Sequence, residues 1–125
     1  MNEQELTPSL IDYLLLIYQV RQEQGNVKAI DIANRTGYTR ASVFRAVKLL
    51  EKQQLLTVGE HHWLQLTSEG SAIANRIYQR YRVCKHWLEM HGVSSDKAEQ
   101  DARKLGEVIS EEALECIGKN LFSVC

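Results

Sequence analysis

Four polar residues lie close together between positions 39 and 45, and their side chains carry groups that can bond the edges of DNA bases. They are Thr39, Arg40, Ser42 and Arg45. An arginine can donate two hydrogen bonds to one guanine, and a threonine or serine hydroxyl can bond a base or a phosphate. The types and spacing of these residues therefore indicate contact with nucleic acid.

Further basic residues extend the same pattern along the chain. Lys48 and Lys52 follow at helical spacing, and His61 and His62 lie in a predicted hairpin tip, so all four are candidate phosphate contacts. The alternative is that these charges only solvate a helix surface and that a polar hairpin tip needs no ligand. Phe44 flanks the polar cluster and could either touch a thymine methyl or pack against the hairpin.

The distribution of charge supports contact with phosphates in the middle of the chain. The 125 residues carry a net charge of -1, but residues 26–90 hold ten Lys and Arg against five acids. Both flanking regions are acidic. The sequence thus predicts a basic central surface between two acidic ends.

Hydrophobic periodicity predicts the helices that must position these side chains. A first helix opens at Pro8 and is apolar nearly all round, so we expect burial on more than one side. A short second helix, about 28–36, ends at Gly37, and a third begins almost at once. The inward stripe of this third helix consists of Val43, Ala46, Val47 and Leu50.

A small hairpin follows, with strands predicted at 55–58 and 63–66 and a tight loop at 59–62. Three helices followed by a hairpin is the order of a winged helix-turn-helix, here spanning about residues 9–67. In that arrangement the third helix enters the major groove of DNA.

Beyond the hairpin the sequence predicts only helices. A long helix begins near Thr67 and reaches about His91, and two shorter helices follow, the last starting at Ser110. We therefore predict a mainly α fold. Residues 1–70 form a winged helix-turn-helix with three helices and a two-stranded wing, and residues 71–125 form a helical dimerisation segment.

The last two helices carry apolar positions suited to a homodimer, and the apolar excess of the first helix could add to the contact. The predicted dimerisation residues are Leu105, Ile109, Leu114, Ile117 and Leu121. Because a two-fold dimer presents the same surface twice, we expect a palindromic DNA operator with half-sites one or more helical turns apart.

Four stretches together resemble a known family, the metal-dependent transcriptional repressors of the diphtheria toxin repressor and manganese transport regulator type. They cover most of residues 7–120 and read TPSLIDYLLLIYQV, IDIANRTGYTRASVFRAVKLLEKQQLL, LTSEGSAIANRIYQRYRVCKHWLEMHGV and DARKLGEVISEEALECI. The resemblance implies a homodimeric repressor whose helical domain holds two metal ions, usually Mn(II) or Fe(II). Because the chain ends at Cys125, we expect no third, SH3-like domain.

The metal-ligand positions implied by the resemblance mostly lack ligands. Only Asp12, Glu99 and Glu107 could still coordinate a metal. The other positions fall on Leu15, Tyr81, Lys85, Arg103 and Gly106. Three carboxylates without an imidazole suit Fe(II) or Mn(II) poorly, and Arg103 could pair with Asp12 or Glu107 in place of an ion. We therefore expect metal control to be lost or rebuilt, which would make residues 71–125 a former metal-sensing domain.

A cysteine-based sensor is a second possibility for the effector. Cys84 together with His91 or Cys116 could bind a soft metal or form a redox pair. Alternatively, Cys84 is a small apolar residue on the seam of the long helix. The effector therefore stays open between a metal, a thiol redox change and none.

Several classes of protein are disfavoured by what the sequence lacks. There is no Gly-rich phosphate loop, nucleophile elbow or paired acid/base motif, so we expect no enzyme. No apolar run is long enough to span a membrane and no signal peptide is recognisable, so we expect a cytoplasmic protein without a membrane partner. The alternative function is a protein-interaction module on a winged-helix scaffold, with the acidic C-terminal helices as its surface and no DNA binding.

Overall fold

The computed structural model describes residues 6–123, with side chains through residue 120. The secondary structure is mainly helical. The chain divides into two compact units, the first ending at Asn75 and the second beginning at Arg76. The predicted mainly α fold with a winged helix-turn-helix is confirmed. The predicted domain boundary near residue 70 falls inside a long helix.

The first unit holds three helices and a two-stranded antiparallel wing. The helices are α1 (Pro8–Gln24), α2 (Ala29–Thr36) and α3 (Arg40–Lys52), and the strands are β1 (Leu56–Val58) and β2 (Leu64–Leu66). The register of the wing pairs Thr57 with Gln65.

Local capping explains why α2 and α3 follow each other so closely. Gly37 adopts a left-handed conformation with φ of 81°, and its N–H donates to Ala33 O at 2.8 Å, which ends α2. Thr39 then caps α3, because its side-chain oxygen accepts the N–H of Ser42 at 3.1 Å. The turn between the two helices is therefore only three residues long.

One hydrophobic core unites the helices and the wing of this unit. As predicted, α1 is buried on more than one side, since the consecutive residues from Tyr13 to Ile17 are all buried. The inward stripe predicted for α3 is also confirmed. The largest fully buried side chains in this core are Leu14, Leu16, Ile17, Ile32, Leu50, Leu56 and Leu64.

The loop of the wing differs in detail from the tight loop predicted from the sequence. Residues Glu60–His62 form a 3-10 turn, in which His61 and His62 have φ angles of 58° and 66°. These left-handed conformations fall on two histidines, whereas Gly59 keeps a negative φ of -95°. Periodicity predicts strands and their spacing, but it does not determine which loop residues take positive φ.

The base of the wing is attached to the rest of the unit at two places. Leu64 N–H donates to Val27 O at 2.8 Å, and Lys28 Nζ lies 4.9 Å from the centroid of the Trp63 ring. This second contact is a cation–π interaction, which links the start of α2 to the wing. The position of the wing relative to α2 is thus fixed by both backbone and side-chain contacts.

The second unit is helical. The long helix α4 (Ser68–Met90) leads into it, and α5 (Ser95–Val108) and α6 (Glu111–Ser123) follow. Arg80 on α4 joins all three, since its Nε donates to Gly106 O at 2.7 Å and its guanidinium also bonds Ile109 O and the Glu111 carboxylate. Within residues 6–123, no helix is both long and apolar enough to cross a membrane.

Candidate nucleic-acid interface

Helix α3 has one buried face and one basic face. Its exposed residues include Arg40, Ala41, Arg45, Lys48 and Lys52. The small Ala41 lies among the four cations, so the backbone can approach a ligand closely there. The predicted basic residues of α3 therefore share one exposed surface.

The two predicted hydroxyl contacts, Thr39 and Ser42, bind each other at the start of α3. The Thr39 hydroxyl donates to Ser42 Oγ at 2.9 Å, while Thr39 Oγ1 accepts the Ser42 N–H. Thr39 is exposed and Ser42 is half-buried. Thr39 thus has a capping role in addition to any contact with DNA, and a ligand would share its hydroxyl with Ser42.

Phe44 lies on the flank of the basic face that is directed toward the wing. Its side chain is 56% exposed, so it does not pack under the hairpin. It borders a cleft of about 540 Å³ between α2, α3 and the wing. The lining of this cleft includes Ile30, Phe44, Lys48, Val58, His62 and Leu64. The structure therefore brings Lys48 of α3 and His62 of the wing to one cleft.

Tyr38, in the turn before α3, is a residue that the sequence reasoning missed. Its hydroxyl donates to Asp12 Oδ2 at 3.2 Å, and its ring packs edge-on against Tyr13 with centroids 5.5 Å apart. Asp12, a predicted remnant of a metal site, therefore binds the helix-turn-helix turn. No sequence signal could have found this contact, since the two residues are 26 positions apart and share no motif.

The charge of Arg45, a predicted DNA contact, also acts near Asp12 and Tyr13. Burial raises the pKa of Tyr13, the nearby Asp12 carboxylate raises it further, and Arg45 opposes the shift. Arg45 is therefore close enough to α1 for its charge to act on Tyr13. A pocket of about 410 Å³ opens here, lined by residues that include Ser9, Asp12, Tyr38 and Ser42.

The second unit holds most of the positions that the family resemblance assigns to metal. Tyr81 is buried and stacks on Tyr78, with ring centroids 6.1 Å apart. At Gly106 the backbone of α5 approaches α4 so closely that an added Cβ would lie 3.4 Å from Tyr81 N. At these two positions, which the resemblance assigns to metal ligands, this chain has an aromatic stack and a close helix contact.

Lys85 places a positive charge among these positions. Burial opposes the charged form of Lys85, but its contact with Glu89 at 3.2 Å raises the pKa, and the negative charge of Glu99 adds to the rise. The ammonium group therefore stays protonated. Glu99, one of the three carboxylates that could have held a metal, acts on a lysine instead.

The donor set does not fit Mn(II) or Fe(II). Among residues 6–120, no group of three or more His, Cys, Asp or Glu side chains is arranged to hold a metal ion. Glu99, Arg103 and Glu107 are half-buried on α5 within the second unit, and Asp12 belongs to the first. A lysine, a tyrosine and a glycine at ligand positions supply no suitable replacement donors.

Cys84 is unsuited to a role as a reactive thiol. It is fully buried, and burial raises its pKa although the charge of Arg80 opposes the shift. His91, its suggested partner, has Nδ1 2.9 Å from Trp87 O. These contacts favour the interpretation of Cys84 as a small apolar residue. Cys116 is exposed on α6.

The predicted dimerisation residues are partly accessible in the single chain. Leu105, Ile109, Leu114 and Ile117 are half-buried, and Leu121 lies outside the described side chains. Val108, which the sequence reasoning did not single out, is 78% exposed. The apolar residues of α1 are mostly buried within the chain, so α5 and α6 offer the more accessible apolar surface.

Comparison with known proteins places this geometry in a family. The family model described as "Iron dependent repressor, metal binding and dimerisation domain" matches residues 67–123. The HTH-type transcriptional regulator MntR of Bacillus subtilis is 30% identical over 112 residues, which cover 90% of this chain and 79% of that protein.

Solved structures show the same fold. The manganese regulator SloR matches 92% of this chain with a TM-score of 0.78 and 25% identity, and the IdeR protein of T. acidophilum matches 91% with a TM-score of 0.80 and 23% identity. The chain spans about half the length of these two structures, 54% of each. The structures show the fold. The relative from Bacillus subtilis, together with the family model, shows that the chain belongs to the family of metal-dependent transcriptional regulators that includes MntR, a family of regulators and not of enzymes.

Proposed function

We propose that this protein is a sequence-specific DNA-binding transcriptional regulator, most simply a repressor, that acts as a homodimer on a palindromic operator. The observation that carries the proposal is the exposed basic face of α3, with Arg40, Arg45, Lys48 and Lys52 on one side of a helix whose other side is core. This face has the form required to enter a major groove.

The wing supports the same function. His61 and His62 are exposed at its tip, and His62 and Lys48 line one cleft between the wing and α3. A phosphate backbone that passes between a recognition helix and a wing would meet these side chains. In this role Arg40 and Arg45 read bases, whereas Lys48, Lys52 and the two histidines contact phosphates.

Replacement of both arginines tests the proposal. We expect Arg40→Ala with Arg45→Ala to weaken binding to a selected duplex about 100-fold, since each base-reading arginine contributes about tenfold. The measurement is fluorescence anisotropy across a salt series. The matched control is Lys97→Ala with Lys104→Ala, which removes the same charge from exposed positions of α5. Equal affinity of the arginine variant and the wild type would contradict the proposal.

The homodimer is proposed to form through α5 and α6. This part of the chain carries the exposed Val108 and four half-buried apolar side chains, Leu105, Ile109, Leu114 and Ile117. Because Val108 is 78% exposed, a charge there would not disturb the core of a single chain. We expect Val108→Glu to shift the protein from dimer to monomer in sedimentation equilibrium. A variant that remains dimeric would place the dimer contact elsewhere.

The control of DNA binding is proposed to differ from that of metal-activated relatives. Lys85 and Tyr81 at ligand positions, together with the close approach at Gly106, leave no suitable Mn(II) or Fe(II) donor set in the second unit. We infer that metal control is lost or rebuilt, in a protein that acts in the cytoplasm.

The alternative function is a protein-interaction module on the same scaffold. Absence of any salt-sensitive DNA affinity would favour that alternative.

A further inference from the structure

Phe44 is an exposed aromatic side chain in a basic surface. It lies one helical turn after Arg40, one turn before Lys48 and next to Arg45, all of them exposed. Its 56% exposure exceeds the 43% of Leu49, the other large apolar side chain exposed on α3. Packing does not account for this position, because the core stripe of α3 consists of Val43, Ala46, Val47 and Leu50.

The charges around Phe44 indicate the chemistry of its partner. A surface with three cations around one apolar group is complementary to a polyanion that presents an apolar group at its centre. In the major groove of DNA the C5-methyl group of thymine is that apolar group, whereas the other base edges offer hydrogen-bond donors and acceptors. A protein partner with a purely apolar surface would leave the three cations unpaired.

We propose that Phe44 is a specificity-determining residue that reads the C5-methyl group of a thymine in each half-site. This inference rests on the DNA-binding function proposed above and adds a base preference to it. The arginines on either side fix the helix in the groove by hydrogen bonds, and the Phe44 ring removes the methyl group from water. The energy gained is that of apolar burial, so it should not depend on salt.

Deoxyuridine gives a direct test, since it pairs as thymidine does and lacks only the methyl group. A preferred duplex is first selected from a random library with the full chain, and each thymine is then replaced singly by deoxyuridine. At one thymine per half-site we expect binding to weaken about fourfold, the change that corresponds to exposing one buried methyl. The measurement is the Kd by fluorescence anisotropy at one fixed salt concentration.

Two variants separate Phe44 from its surroundings. Phe44→Ala should bind the thymine and uracil duplexes equally and keep the salt dependence of the wild type, because no charge is removed. Leu49→Ala, the matched control, should keep the fourfold discrimination. Far-UV circular dichroism confirms that both variants are folded, which is expected for exposed positions.

The outcomes distinguish this inference from the proposed function. Equal binding of thymine and uracil duplexes by the wild type, or undiminished discrimination by Phe44→Ala, overturns the role of Phe44 alone, provided that Arg40→Ala with Arg45→Ala still weakens binding. If the selection enriches no sequence and binding shows no salt dependence, the DNA-binding function itself fails and the inference fails with it.

Discussion

At the scale of single residues, Gly70 is the glycine whose surroundings leave the least room for a side chain. It lies in the first turn of α4, where an added Cβ would be 1.9 Å from the backbone oxygen of Leu55. Because the obstacle is backbone, no rotamer change can relieve the clash. Gly70 is therefore what allows the start of α4 to pack against the residue before β1.

Gly70→Ala should destabilise the protein by about 3 kcal/mol, the upper range for overpacking in a rigid site. Gly118→Ala on α6 is the control, since nothing lies within 4 Å of an added Cβ there. That change should add about 0.5–1 kcal/mol, because alanine favours a helix interior over glycine. Urea unfolding followed by circular dichroism measures both, and similar effects of the two changes would contradict this account.

Cys84 provides a second prediction at this scale. Because burial raises its pKa, the thiolate fraction at neutral pH is low and the sulfur is out of reach of reagents. In a Cys116→Ser, Cys125→Ser variant, we expect no rapid reaction with a thiol reagent in the native state and one reacting thiol in denaturant. Fast reaction of Cys84 with the reagent in the native state would instead support a cysteine-based sensor.

The sequence predicts whether a residue is buried or exposed where helical periodicity decides it. It does not predict contacts between segments that are far apart in the chain. The exposed arginines of α3 follow from a 3.6-residue repeat, so their position could be predicted and is confirmed. The Tyr38–Asp12 hydrogen bond and the close approach at Gly70 depend on how distant segments meet. Such contacts leave no local pattern, and sequence reasoning did not find them.

At the scale of elements, a surface ion pair links α1 to α2. Arg35 makes two hydrogen bonds to Glu23, one of 3.0 Å between Nη2 and Oε2. The hydrogen bond from Arg35 lowers the pKa of Glu23, burial opposes the shift and the arginine charge adds to it. The pair therefore favours the native state only while Glu23 is ionised.

Because the pKa of Glu23 is lowered in the native state, the ion pair stabilises the protein at neutral pH and loses this effect in acid. The contribution of Glu23 is fully present above the ordinary glutamate pKa of 4.5 and is lost as the pH falls through the lower native value. Because the Glu23 side chain is 53% exposed, solvent screening keeps this contribution below about 1 kcal/mol. Glu23→Gln should lower the urea midpoint at pH 7.

The wild type and Glu23→Gln should converge in stability as the pH falls below the native pKa of Glu23. High salt should narrow their difference at pH 7, since the pair is on the surface. A difference that persists at low pH would show that the glutamate acts through packing.

The order and bounds of the elements were the most predictable level of the structure. Capping residues and hydrophobic stripes placed the three N-terminal helices and the wing, because local chemistry dominates there. The conformation of the wing loop was not predictable, since His61 and His62 rather than a glycine take the positive φ angles. Those angles depend on closure of the wing, in which Gly59 N–H donates to Trp63 O.

At the scale of the whole molecule, the central question is the response to metal. A ligand that binds the native state raises its stability, so a functional metal site would be visible in the melting temperature. We expect neither Mn(II), Fe(II) nor a chelator to change the Tm or the Kd for the selected duplex. Elemental analysis of the purified protein should find no stoichiometric Mn or Fe.

A variant that restores metal donors at two of the implied ligand positions extends that experiment. Tyr81→His with Lys85→Glu replaces an aromatic ring and a cation by donors that these metals accept. A rise of Tm with Mn(II) in this variant, and none in the wild type, would show that the loss of ligands accounts for the difference. A chelator-sensitive wild type would contradict the proposal.

The cation–π contact between Lys28 and Trp63 has a practical consequence for such measurements. The chain has two tryptophans, Trp63 in the wing and Trp87 on α4, so each unit carries one fluorophore of its own. Trp87→Phe would leave the emission of Trp63 as a spectroscopic reporter of the wing. Lys28 also lines the cleft that holds Lys48 and His62, so a ligand in that cleft that draws the lysine away from the ring should alter the emission without a label.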